Sequence, residues 1–162
     1  KQKALIALIL GVVAIFFYTT WRFETSFALG AIVALIHDVF ISLGVFVLLG
    51  REMSLPMVGA ILAVAGYSIN DTIVIFDRIR ETFRGGLHGN RENAMNMAIN
   101  QTLSRTLLTS GTTFLAVLVL FLFGGRVIND FALILLIGII VGTYSSIFIA
   151  SPIALLAGGR KK

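Results

Sequence analysis

Five long apolar runs, separated by short polar turns, leave this chain little choice of architecture. A helix needs about 20 apolar residues to cross ~30 Å of hydrocarbon, and the runs fall at about 4–21, 27–49, 56–76, 103–123 and 131–156. In lipid, every backbone polar group must be satisfied within the element, so runs of this length fold as helices. The expected fold class is an all-α polytopic membrane protein, with one transmembrane domain over residues 1–162. Composition agrees: 57% of residues are hydrophobic and 13% charged, too few charges to cover a soluble surface.

The turns sharpen the expectation. Trp21-Arg22-Phe23-Glu24 is an aromatic and charged interface anchor after the first run. Pro56 suits the first turn of the third helix. The only long polar stretch, 77–102, is expected to be a cytoplasmic loop broken at Gly85, Gly86 and Gly89. Within it Asn90 can cap a short interfacial helix from Arg91, which then runs into the fourth span. Arg22, Arg78, Arg80, Arg84, Arg91, Arg160, Lys161 and Lys162 share one side, against Lys1, Lys3, Arg51 and Arg126 on the other. By the positive-inside rule the first side is cytoplasmic, which puts the N-terminus outside and the C-terminus inside. This topology, rather than nucleic acid as a partner, accounts for the net charge of +5. Because the chain opens on Lys1 without a methionine, it is expected to be a segment of a longer protein.

Several chemistries find no support. There is no cysteine, so disulfides and thiolate metal sites are excluded. His37 and His88 lie far apart and make no metal-ligand pattern. Gly85-Gly86 lacks the lysine and the strand of a nucleotide loop, and no nucleophile sits beside an ordered base. Neither an enzyme nor a bound cofactor is expected.

What remains is a small set of ionisable residues inside the spans. Asp71, with Asn70 beside it, lies six residues before the charged burst Asp77-Arg78-Ile79-Arg80-Glu81, or ~9 Å along a helix. A carboxylate in a span costs about 3 kcal/mol on insertion scales and marks a functional site by default. Burial disfavours the charged form and a nearby cation favours it, so a group balanced between the two can load and release a proton. The alternative is an Asp71 that only hydrogen-bonds a neighbouring helix. Arg105, one turn into the fourth span, is the natural cation, followed at helical spacing by Thr109 and Thr112, a polar stripe suited to water. The alternative for Arg105 is snorkelling to the interface. His37-Asp38, nearer the bilayer centre, either extends a proton path or holds helices together. Small residues mark the packing seams: Gly138, Gly142, Ser146, Ala150, Ala154 and Gly158 on the fifth span, and Gly30, Ala34, Asp38 and Ser42 on the second.

The stretch Gly66-Tyr67-Ser68-Ile69-Asn70-Asp71-Thr72-Ile73-Val74-Ile75-Phe76-Asp77-Arg78-Ile79-Arg80-Glu81 resembles the signature of the SecF family, membrane subunits that work with SecD beside the Sec translocon. His37-Asp38-Val39, Arg105-Thr106-Leu107-Leu108-Thr109-Ser110-Gly111-Thr112-Thr113 and Gly142-Thr143-Tyr144-Ser145-Ser146-Ile147 agree with it, over essentially the whole chain. SecD carries a related version with the acid one position earlier, where this chain has Asn70.

The resemblance implies five helices of an RND-type half-bundle in the cytoplasmic membrane of a bacterium or archaeon. It implies a proton-motive-force-coupled accessory role in protein translocation, with Asp71 carrying the proton, Arg105 as its partner, and protons as the coupling ion. SecD, the Sec translocon channel, the lipid bilayer and the emerging preprotein are the implied partners. The preprotein would be met through an extracytoplasmic domain which, with a first span, precedes these residues in the family. Another RND-type exporter half and a non-transporting scaffold of the translocon are the alternatives.

Overall fold

The computed structural model describes residues 2–52, 54–85 and 90–158, all in helices and short turns. In chain order the helices are α1 (Gln2–Arg22), α2 (Thr25–Leu48), α3 (Leu55–Arg84), α4 (Arg91–Phe123), α5 (Gly125–Ser145) and α6 (Ser151–Gly158). A five-residue π-helical segment, Ser146–Ala150, joins the last two into one continuous rod. Four helical rods are long and apolar enough to cross a membrane: α2, α3, α4 and the α5–π–α6 rod. In α1 the apolar stretch counted over described residues, Ile9–Arg22, is shorter.

The polar stretch around residues 77–102 differs from expectation. Residues 77–84 continue α3, and 91–102 are the first turns of α4, so no separate interfacial helix exists among the described residues. The reason is local. Asn90 caps α4, its side chain accepting from the Glu92 N–H, and nothing after Arg91 breaks the helix before Gly124. Gly50 and Gly125 turn the chain at the opposite end with φ of 69° and 74°, a left-handed region that glycine enters without a Cβ clash.

The α5–π–α6 rod is the centre of the bundle: α5 packs on α2, α3 and α4, and α6 continues along α2. Glycines set how closely it approaches. A Cβ on Gly142 would lie 3.1 Å from the Ser68 Cβ, one on Gly138 would run into Val64, and one on Gly30 would run into the Ala150 carbonyl. Apolar clusters fill both ends. At the Arg22 end Phe23, Phe27, Phe76 and Ile79 pack with Met95 and Ala154. At the Arg51 end one cluster joins Phe46, Met57, Val64 and Ile134, and another joins Val117, Ala132, Leu136 and Ile139. Ion pairs mark the two rims: Arg22 grips Asp77 at 2.9 and 3.0 Å, and Arg51 meets Asp130 at 2.9 Å. Between the apolar ends lies a layer of buried polar side chains.

Candidate functional site

The polar layer has two nodes, one around each intramembrane acid. Asp71 is 3% exposed. Its Oδ2 accepts a hydrogen bond from Ser110 Oγ of α4 at 3.1 Å and a long one from Thr143 Oγ1 of α5 at 3.5 Å. Thr143 Oγ1 also lies 2.8 Å from Ser110 Oγ and from its own Ile139 carbonyl. With hydroxyls as its only partners among the described residues, Asp71 has no cation within the 4.0 Å of an ion pair.

Asp38 is 0% exposed and better supplied. Ser68 of α3 and Ser145 of α5 both donate to its Oδ2, and His37 Nδ1 lies 3.0 Å from its Oδ1. Three donors converge on this carboxylate, where one well-formed bond serves Asp71. Between the nodes Thr72 Oγ1 sits 2.9 Å from Ser146 Oγ and also donates to the Ser68 carbonyl. The π-helical segment begins at that serine. Such insertions are frequent at functional sites, and here Ser151 Oγ donates to the Ser146 carbonyl, five residues back, at 3.0 Å.

The structure brings together some of the residues singled out in the sequence and separates others. His37 and Asp38 are bonded to each other, and Gly138, Gly142, Ser146 and Ala150 all lie on the buried side of their rod. The expected Asp71–Arg105 pair is not formed. Arg105 is exposed and makes no hydrogen bond or ion pair through its side chain among the described residues. Thr109 and Thr112 share its outward stripe, and each hydroxyl bonds a carbonyl of its own helix. Asn70 is exposed as well. The α4 stripe that faces inward is Thr102, Thr106 and Ser110.

Ser110 and Thr143 at the first node, Ser68 and Ser145 at the second, and Thr72 between them are the residues that sequence reasoning left without a role. Their signal was present in the motifs themselves: Ser68 and Thr72 in 66–81, Ser110 in 105–113, and Thr143 and Ser145 in 142–147.

A bundle of helices long and apolar enough to cross a membrane, with two carboxylates enclosed in a hydroxyl-lined layer, is the architecture of a membrane transport domain. Residues 1–160 match the family described as protein export membrane protein SecD/SecF, C-terminal. The SecF translocase subunit of Desulfurispirillum indicum is 53% identical over 154 residues, covering 93% of this chain and 49% of that protein. The SecF subunit of Vibrio alginolyticus is 52% identical over 157 residues, covering 97% of this chain and 50% of its own. The crystal structure of SecDF from Thermus thermophilus, a translocon-associated membrane protein, superimposes with a TM-score of 0.92 at 45% identity, over 97% of this chain and 22% of that one. A SecDF in a super-membrane-facing form matches with a TM-score of 0.90 at 44% identity, over 99% and 22%. The chain therefore belongs to the SecD/SecF family of protein export membrane proteins, on the SecF side. It is a multi-pass membrane domain and spans about half the length of the curated relatives it matches.

Proposed function

We propose that this domain is the proton-coupling part of a SecF subunit, acting with SecD at the Sec translocon to assist protein export. α1 is then a fifth span, the Arg22 end is cytoplasmic, and the Arg51 end faces outward. The observation that carries the reading is Asp71: a buried carboxylate held by one hydrogen bond of ordinary length and one long one, with no fixed cation beside it. A proton is the partner that can balance such a charge and leave again. Asp38, with three donors, is the fixed member of the pair and pins α2, α3 and α5 together.

Arg105 fits the reading from the outside. It sits with Thr109 and Thr112 on an outward stripe at membrane depth, among exposed Leu107, Leu108 and Leu115. Ionisable residues inside membranes almost always face protein or a water-filled cavity, so this stripe is where the SecD half would cover the bundle. Loading Asp71 would change how α3, α4 and α5 pack. Packed interfaces of this kind switch between discrete arrangements rather than deforming smoothly, and that switch would move the extracytoplasmic domains that handle the preprotein.

The test is export by the full-length protein carrying Asp71→Asn, with and without an uncoupler. The substitution keeps size and polarity and removes the proton site. Loss of the uncoupler-sensitive component in a complex that still assembles is expected. Export that stays normal and uncoupler-sensitive points instead to a non-transporting scaffold.

A further inference from the structure

One buried polar group near Asp71 has no part in the scheme above. Tyr67 stands four residues before Asp71 on α3, on the same face of the helix and about 6 Å closer to the Arg51 end. Its hydroxyl is buried and finds no hydrogen-bond partner among the described residues. The ring packs against the apolar cluster of Val117, Ala132, Leu136 and Ile139, as Phe114 and Phe121 also do. A tyrosine hydroxyl left unpaired in an apolar layer costs free energy that a phenylalanine of the same shape avoids. Packing alone therefore does not explain it.

The surroundings give the hydroxyl a position in a path. At the Arg51 end a polar depression of about 480 Å³ is lined by Arg51, Arg126, Asn129, Asp130 and Phe121, among others. Phe121 lines that depression and packs against the same apolar cluster as Tyr67. On the other side of Tyr67 lies Asp71 with Ser110 and Thr143. Along α3, Tyr67 thus lies between Asp71 and the end of the bundle that carries the depression, against an apolar cluster.

We infer that the Tyr67 hydroxyl is a proton-relay station between the depression at the Arg51 end and the Asp71 carboxylate, an inference that rests on Asp71 being the proton carrier. In the inward hop, a hydronium ion on the side of the depression gives a proton to a lone pair of the phenol oxygen. The phenol's own proton passes to a water on the Asp71 side, and that water hands a proton to the carboxylate. The hydroxyl then resets by rotating about its C–O bond. No atom is gained or lost except the proton delivered to Asp71, and the water is restored.

The experiment uses the full-length protein with its SecD partner and compares Tyr67→Phe with Asp71→Asn. The readouts are uncoupler-sensitive export in cells and the thermal unfolding midpoint of the purified complex. Tyr67→Phe is expected to slow the uncoupler-sensitive component by roughly tenfold or more, with the midpoint unchanged or raised, because an unpaired buried hydroxyl has been removed. Wild-type export by Tyr67→Phe, with Asp71→Asn inactive, overturns the relay and leaves the Asp71 reading standing. A slowed Tyr67→Phe with a lowered midpoint assigns Tyr67 to packing and also overturns the relay. Normal proton-driven export by Asp71→Asn overturns both.

Discussion

Two aspartates in one bundle have opposite surroundings, and their substitutions should separate accordingly. Asp38 receives Ser68, Ser145 and His37, so Asp38→Ala removes the shared acceptor of three buried or half-buried groups, of which Ser145 alone keeps a backbone acceptor, the Gly142 carbonyl. Leaving a buried hydrogen-bonding group unsatisfied costs about 1–3 kcal/mol. The thermal midpoint of Asp38→Ala in detergent should therefore fall well below that of Asp71→Ala, which takes an acceptor at ordinary distance from Ser110 alone and leaves that hydroxyl its Thr143 partner at 2.8 Å. Equal midpoints would show that Asp38 is not the pin between α2, α3 and α5. The sequence makes both acids conspicuous, because carboxylates in apolar runs are rare. It does not reveal the partner of Asp71, for a reason specific to α4. That helix carries two polar stripes, one through Arg105, Thr109 and Thr112 and one through Thr102, Thr106 and Ser110. Charge draws attention to the first, and only the rotation of α4 in the bundle puts the second inside.

At the scale of the helices, the approach of α5 to α3 is set by glycine. Gly142→Val is expected to press on Ser68, push the two helices apart and lengthen the Thr143–Asp71 contact, since a single Cβ there already meets the Ser68 Cβ at 3.1 Å. Overpacking of this kind costs about 1–3 kcal/mol, so the midpoint should fall. Gly44→Ala on α2, where an added Cβ meets nothing within 4 Å, should leave it unchanged or raise it. A neutral Gly142→Val would show that the seam has slack. The seam itself is legible in the four-residue recurrence of small side chains. The π-helical segment is not, because Ser146–Ala150 has the composition of its neighbours and the inserted residue shows only as a change of phase along the rod. Nor is the continuity of α4 through residues 91–102, where polar composition suggests a loop although a capped helix has no residue to stop it.

For the molecule as a whole, the apolar surface is uneven in a way that predicts contact. α1 shows lipid-like residues outward, Phe17 and Leu10 among them, whereas α4 shows a charge and hydroxyls. A cysteine placed at Thr109 in the full-length protein should crosslink to SecD, and one placed at Phe17 should not. Crosslinking from both, or from Phe17 alone, would move the interface to another face. The all-helical nature of the chain follows directly from hydropathy. Which faces meet a second protein does not, because hydropathy reports how apolar a segment is and not what it touches.

The rod formed by α5 and the π segment touches both acids through residues two apart, Thr143 toward Asp71 and Ser145 toward Asp38. Two residues are about 200° around a helix, so the two hydroxyls leave the rod on nearly opposite sides. Any sideways step that brings the rod nearer one carboxylate takes it away from the other. The two nodes then behave as the pans of a balance with α5 as its beam: a better grip on one acid is obtained by loosening the other.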